Sequence, residues 1–165
     1  PEQYTGLAHY LEHVMFKGTQ TIDALDWEKE KPIYEKIIAK YDERAALSDP
    51  AAREAIDKEI NDLTREAAQY AAGNEFSLLV DHMGGQGLNA STGYDQTEYH
   101  NSFPPSQLEK WLEIYSERLI GPVFRGFQTE LEAVYEEYNM YNDDRGSRMR
   151  EFIYCLLYTS DAADE

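Results

Sequence analysis

His9-Tyr-Leu-Glu12-His13 sets two imidazoles four residues apart, with a carboxylate directly before the second. On a helix that spacing brings both rings to one face, where neutral ring nitrogens could grip a single ion, zinc being a metal that suits them. Glu12 flanks this face without occupying it, as befits a base that takes a proton from water beside the ion. The order inverts the familiar H-E-x-x-H zinc motif. Two imidazoles do not complete a catalytic zinc centre, which takes three protein ligands and an open position, so a third donor must come from elsewhere in the chain. Taken alone, the pentapeptide also fits an ordinary polar helix face. His82 and His100 have no partner at ligand spacing and read as packing or surface residues.

Several elements must position these groups. From Gly6 to Phe16, Leu7, Leu11 and Val14 recur at three-to-four spacing and predict a short helix, stopped by the Lys17-Gly18-Thr19 turn. Between Trp27 and Ala72 a highly charged stretch keeps a helical period through Ile33, Ile37 and Tyr41, then through Ile56, Ile60, Leu63, Ala67 and Tyr70. Ser48-Asp49-Pro50 interrupts it, with Asp49 suited to cap a second helix and Pro50 to its first position. Two antiparallel helices are expected, an arm over 27–72 with no chemistry of its own. A shorter helix from Glu75 to Met83 should end at Gly84-Gly85.

Leu88-Asn-Ala-Ser-Thr92 and Gln96-Thr-Glu-Tyr-His-Asn-Ser-Phe103 alternate around Gly93-Tyr-Asp95, as an antiparallel hairpin would. After Pro104-Pro105, a helix with Leu108, Trp111, Leu112, Tyr115 and Leu119 on one face is expected, then Gly121-Pro122, then a last helix from Thr129 to Asn142. The sum is an α+β fold: an antiparallel sheet packed with helices, plus an inserted charged helical hairpin.

Composition narrows the partners. The 165 residues, 42% of them hydrophobic and 13% aromatic, suffice for one domain with a real core. A formal net charge of −17 repels phosphate backbones and anionic membrane surfaces, so nucleic acid is not an expected partner; the acidity reads as solubility or as a field that draws in basic peptides. No apolar run reaches the length of a membrane span. The chain opens at Pro1 rather than Met, so a preceding segment, with any export signal, is expected. Residues 155–165 resemble a translated sequencing adapter, which puts the expected end of the zinc-binding domain at 154 and leaves the lone Cys155 without a disulfide role.

Three segments together resemble the pitrilysin/insulinase family of zinc peptidases. Gly6-Leu-Ala-His-Tyr-Leu-Glu-His-Val-Met-Phe-Lys-Gly-Thr19 is similar to that family's zinc helix and following turn. Gly84-Gly-Gln-Gly-Leu-Asn-Ala-Ser-Thr92, with Asp95-Gln-Thr97 and Tyr99, is similar to its glycine-rich strand and hairpin. Pro122-Val-Phe124 followed by Glu130-Leu-Glu-Ala-Val-Tyr-Glu-Glu-Tyr-Asn139 is similar to its third-ligand helix.

The resemblance implies a zinc endopeptidase acting on peptides or unfolded segments, with His9, His13 and Glu137 as metal ligands and Glu12 as general base. Glu130, seven residues before Glu137 and so close to two turns away, would orient the site from behind; the neighbouring Glu136 is the rival ligand. Peptide would add as a strand along Asn89-Ala90. His13 and Glu137 stand further apart than is common in the family, by about the length of the 27–72 arm, a separation that loop-length costs tolerate. Family members enclose substrate between related halves, so a missing C-terminal half or partner subunit is implied. The alternatives are an inactive metal-binding half and a structural or assembly subunit. A bacterial periplasmic or envelope location is a family-level expectation only.

Overall fold

A computed structural model describes residues 6–93 and 95–159. The described elements are helices α1 (Leu7–Val14), α2 (Trp27–Ala46), α3 (Pro50–Ala67) and α4 (Glu75–His82), strands β1 (Gln86–Thr92) and β2 (Thr97–Ser102), then α5 (Leu108–Ile120), α6 (Phe127–Asp143) and α7 (Arg145–Thr159). The α+β class is as expected, with a two-stranded antiparallel sheet. Tyr94 of the hairpin turn and residues 160–165 of the adapter-like tail lie outside the described residues. The chain divides into two compact units that meet in sequence at Phe127 and Gln128.

In the first unit, the arm follows its sequence signals closely. Asp26 and Asp49 accept bonds from Lys29 N and Ala52 N at 3.2 Å each, capping α2 and α3, and Pro50 opens α3. Ile33 and Ile37 pack on Ile56 and Ile60, with Tyr41, Leu63, Ala67 and Tyr70 around them. Backbone bonds close the base of the arm: Leu25 N donates to Tyr70 O at 2.8 Å and Ala72 N to Asp23 O at 2.9 Å.

The second core lies beneath the hairpin. Ile22, Phe76, Val80, Met83 and Tyr115 are buried together, with Phe16, Leu88, Tyr99, Trp111 and Ile114 packed around them. On two helices burial does not follow the leucine spacing. On α1, Leu7 and Leu11 are exposed, and Tyr10, Glu12 and Val14 are the buried residues. On α5, Leu108, Leu112 and Leu119 are exposed, while the inward stripe is Trp111, Ile114, Tyr115 and Arg118. In both helices one polar group, Glu12 or Arg118, finds partners inside and rotates the buried face away from the leucines.

α4 ends at Gly84 with φ 76°, the left-handed conformation that glycine adopts without strain. Its start is held by a reciprocal pair: Asp23 Oδ1 accepts from Glu75 N at 2.7 Å, and Asp23 N donates to Glu75 Oε2 at 2.5 Å. Asp23 Oδ2 is buried and has no hydrogen-bond partner among the described residues. In the second unit, Asp144 Oδ2 accepts from Ser147 N at 2.6 Å and so caps α7, a helix that the apolar spacing had not signalled.

Arg125 joins these parts of the first unit. Its guanidinium donates to Glu30 at 2.6 and 2.9 Å, to Lys17 O at 2.9 Å and to Thr19 O at 2.7 Å. Glu30 belongs to α2, so the arm is built into the support of the turn after α1.

Two outcomes are expected. Glu30→Ala leaves the part-buried Arg125 cation without its counter-ion and should cost about 3 kcal/mol in urea unfolding; a loss under about 1 kcal/mol would mean that water replaces the carboxylate. Burial raises the Asp23 carboxyl above its ordinary value, against the opposing Glu75 amide and Arg125 charge. The folded state therefore holds this proton more tightly, and the stability it contributes is full below pH ~4 and lost as pH rises through the raised value. Asp23→Asn should remove that component, so thermal midpoints of variant and native chain should diverge with pH there; parallel curves would contradict it.

Candidate metal centre

α1 is short, with Gly6 in the left-handed region at φ 86° before its first turn. Tertiary contacts hold it. Tyr10 donates through its hydroxyl to Phe127 O at 2.5 Å and packs edge-on against the Phe127 ring, 4.8 Å between centroids. Val14 and Met15 are buried, and Arg118 Nε donates to Met15 O at 2.9 Å, satisfying a carbonyl that the helix end would otherwise leave open.

The turn after α1 is equally determined. A Cβ on Gly18 would meet Ile22 O at 2.4 Å, so only glycine fits there, and φ is 83°. Thr19 is buried; its hydroxyl accepts from Ile22 N at 2.9 Å and donates to Glu117. The Phe16-Lys-Gly-Thr19 stretch is thus a scaffold for α1.

On that helix His9 and His13 are both half-buried, one turn apart, with ring centroids 4.9 Å apart and planes at 82°. This is the face that the i, i+4 spacing leads one to expect. Two imidazoles adjacent on an anchored helix are a donor set that suits zinc. Glu12 is 8% exposed, and its Oε2 accepts from Thr92 Oγ1 at 2.5 Å. Thr92 ends β1, and its oxygen lies 3.1 Å from that of Thr97, its partner across the ladder. Glu12 is therefore tethered to the hairpin by a residue that the spacing of His9, Glu12 and His13 gives no hint of.

The hairpin alternates as expected. Leu88, Ala90 and Thr92 turn inward, while Asn89 and Ser91 face outward, Asn89 opposite His100 and Ala90 opposite Tyr99. An irregularity in register falls between Gln86 and Asn89, where Gly87 has φ 65°. His82 ends α4 and is exposed, as is His100.

Behind the hairpin, Arg118 is 1% exposed and stacked among rings: 4.2 Å from the centroids of Phe16 and Tyr99, and 4.5 Å from that of Phe76. Nη1 and Nη2 have no hydrogen-bond partner among the described residues, so the rings supply the stabilisation. Burial pulls its pKa below the ordinary value, with Tyr115 and Tyr99 opposing. Burial pushes both phenols up. Its one sequence signal is a charge at i+7 from Trp111, on the stripe that Tyr115 continues.

In the second unit, Glu130 and Glu137 lie on α6, Glu130 half-buried and Glu137 exposed, two turns apart. Glu136 is exposed too, about 100° around the helix from Glu137.

The profile described as Insulinase (Peptidase family M16) matches residues 52–163. The match runs from α3 through the hairpin, α5, α6 and α7, and α1 lies ahead of it. The His9-x-x-Glu12-His13 motif is therefore an observation separate from the match. No curated protein and no solved structure matches the chain.

Arg118→Lys keeps the charge and loses the planar stack, so it should lower stability by about 2 kcal/mol in denaturant titration. An unchanged midpoint would show that the rings are indifferent to which cation they enclose.

Proposed function

Because the chain belongs to the insulinase family, peptidase family M16, whose members are typically zinc metallopeptidases, we propose that it carries the metal-binding part of a zinc endopeptidase. The substrates are peptides or unfolded segments. The observation that carries the reading is the pairing, on one anchored helix, of two imidazoles with a buried carboxylate already oriented by a hydroxyl.

His9 and His13 would hold zinc through ring nitrogens, and Glu137 would supply the third ligand, with Glu130 two turns away orienting it. Bound zinc supplies Lewis acidity, polarising the scissile carbonyl and bringing the pKa of water towards 7. Glu12 takes the proton from the attacking water and later hands it to the leaving amine. Since Oε2 is engaged by Thr92, Oε1 is the oxygen that carries the proton. Peptide adds as a strand along Asn89-Ala90, where backbone bonds grip it with little demand on side chains.

A second reading, a metal-binding half that turns over substrate only with its missing C-terminal half or a partner subunit, is favoured by the apolar residues left exposed on α6 and α7. Tyr135 is 61% exposed, Met140 73% and Phe152 62%. No helix among the described residues is long and apolar enough to cross a membrane.

Elemental mass spectrometry of the full chain should find about one zinc per chain, lost in His9→Ala, His13→Ala and Glu137→Ala and kept in Glu136→Ala. Peptide hydrolysis should stop on chelation. Glu12→Gln should keep the metal and lose at least ~100-fold in kcat. A folded chain without zinc would sink the metal reading, and a Glu12→Gln variant at native turnover would remove Glu12 from its role.

A further inference from the structure

Resting on the peptidase reading, we propose that Thr92, backed by Thr97, is the positioning residue for Glu12. The base sits on α1, and its carboxylate is met by a hydroxyl from outside that helix. Thr92 approaches from the hairpin, 80 residues away in sequence, and its hydroxyl reaches Glu12 Oε2 at 2.5 Å. A hydroxyl has one proton and two lone pairs, and an ionised carboxylate only accepts, so that proton is committed to Glu12. The 3.1 Å contact between Thr92 Oγ1 and Thr97 Oγ1 then has one direction: Thr97 donates and Thr92 accepts.

The result is a directed chain, Thr97 to Thr92 to Glu12, in which each bond polarises the next. Its geometry is set by backbone, because Thr92 and Thr97 are paired at the last rung of the ladder. Two β-branched side chains at that rung have few rotamers with which to let the carboxylate go. Glu12 is nearly enclosed, so water does not offer an equivalent donor from bulk. A general base works only within hydrogen-bond reach of the proton it takes, and small misplacements cost large factors in rate. The hairpin thus has a duty at the reacting centre separate from any grip on substrate along Asn89-Ala90.

The test separates shape from hydroxyl in the full chain. Thr92→Val keeps the branched shape and loses the donor; it should lower kcat by about 10- to 100-fold, with KM and zinc content unchanged. Thr92→Ser keeps the donor and should recover kcat to within a few-fold of native. Thr97→Val should show a smaller loss in the same sense. Native kcat in Thr92→Val, or a loss of zinc that accounts for its lower rate, would overturn the proposal.

Failure of the peptidase reading itself would look different: bound zinc and no turnover in the native chain under any condition. A double-mutant cycle on thermal midpoints then decides, using Thr92→Val, Glu12→Ala and the two combined. Non-additive losses keep the tether between hairpin and helix, and additive losses dispose of it.

Discussion

The guanidinium of Arg125 is where three separate stretches of chain become one support. It bonds to both carboxylate oxygens of Glu30 on α2 and to backbone carbonyls at Lys17 and Thr19 in the turn that follows α1. A carbonyl that accepts from a fixed cation is held in direction as well as in place, and charge-assisted bonds are about twice as strong as neutral ones. The turn in question carries Gly18 in the left-handed region and Thr19 fully enclosed, and it determines where the last turn of α1 points. The desolvation of the pair is tolerable only because nearly every donor on the fork has an acceptor. The arm is thereby recruited: α2 begins as part of the support, and further along it Tyr34 accepts from Phe124 N at 3.4 Å and Tyr41 packs edge-on against the Phe127 ring.

Arg118 and Arg125 divide the work. Arg125 is satisfied by oxygen, whereas Arg118 is satisfied mostly by aromatic faces and gives a single bond to Met15 O. One fixes the turn after α1 and the other fixes its final carbonyl. Between them the histidine-bearing helix, only eight residues long, is held from its C-terminal side, where a helix so short would not persist by itself. The hairpin completes the arrangement by reaching the carboxylate of Glu12 from 80 residues further along the chain.

What could be read from the sequence follows from how local its cause is. The arm's isoleucines, the Asp49-Pro50 start, the Gly84 stop and the hairpin around Gly93 all depend on neighbours within a few residues, and all appear where their spacing puts them. His9, Glu12 and His13 are legible for the same reason. Which side of α1 and α5 is buried does not follow from apolar spacing, because a hydropathy pattern treats Glu12 and Arg118 as solvent-facing, while partners 80 and 103 residues away draw them inward. Thr92 stands inside a recognisable motif, yet its bond to Glu12 depends on register between a strand and a distant helix. Asp144 as the cap of α7 was visible in principle, and lacked only the apolar period that would have drawn attention to it.

The closed base of the arm also changes how the chain reaches this arrangement. With Ala24 bridged to Ala71, a path from α1 to the hairpin no longer has to run along α2 and α3. The arm's own core closes over short separations and can form early. Once it has, the loop that must be closed to bring Thr92 to Glu12 is shorter by the whole arm, and the entropy of that closure falls accordingly. The arm that lengthens the interval between Glu12 and Thr92 in sequence therefore need not slow their meeting: folded first, it works as a short circuit in the search.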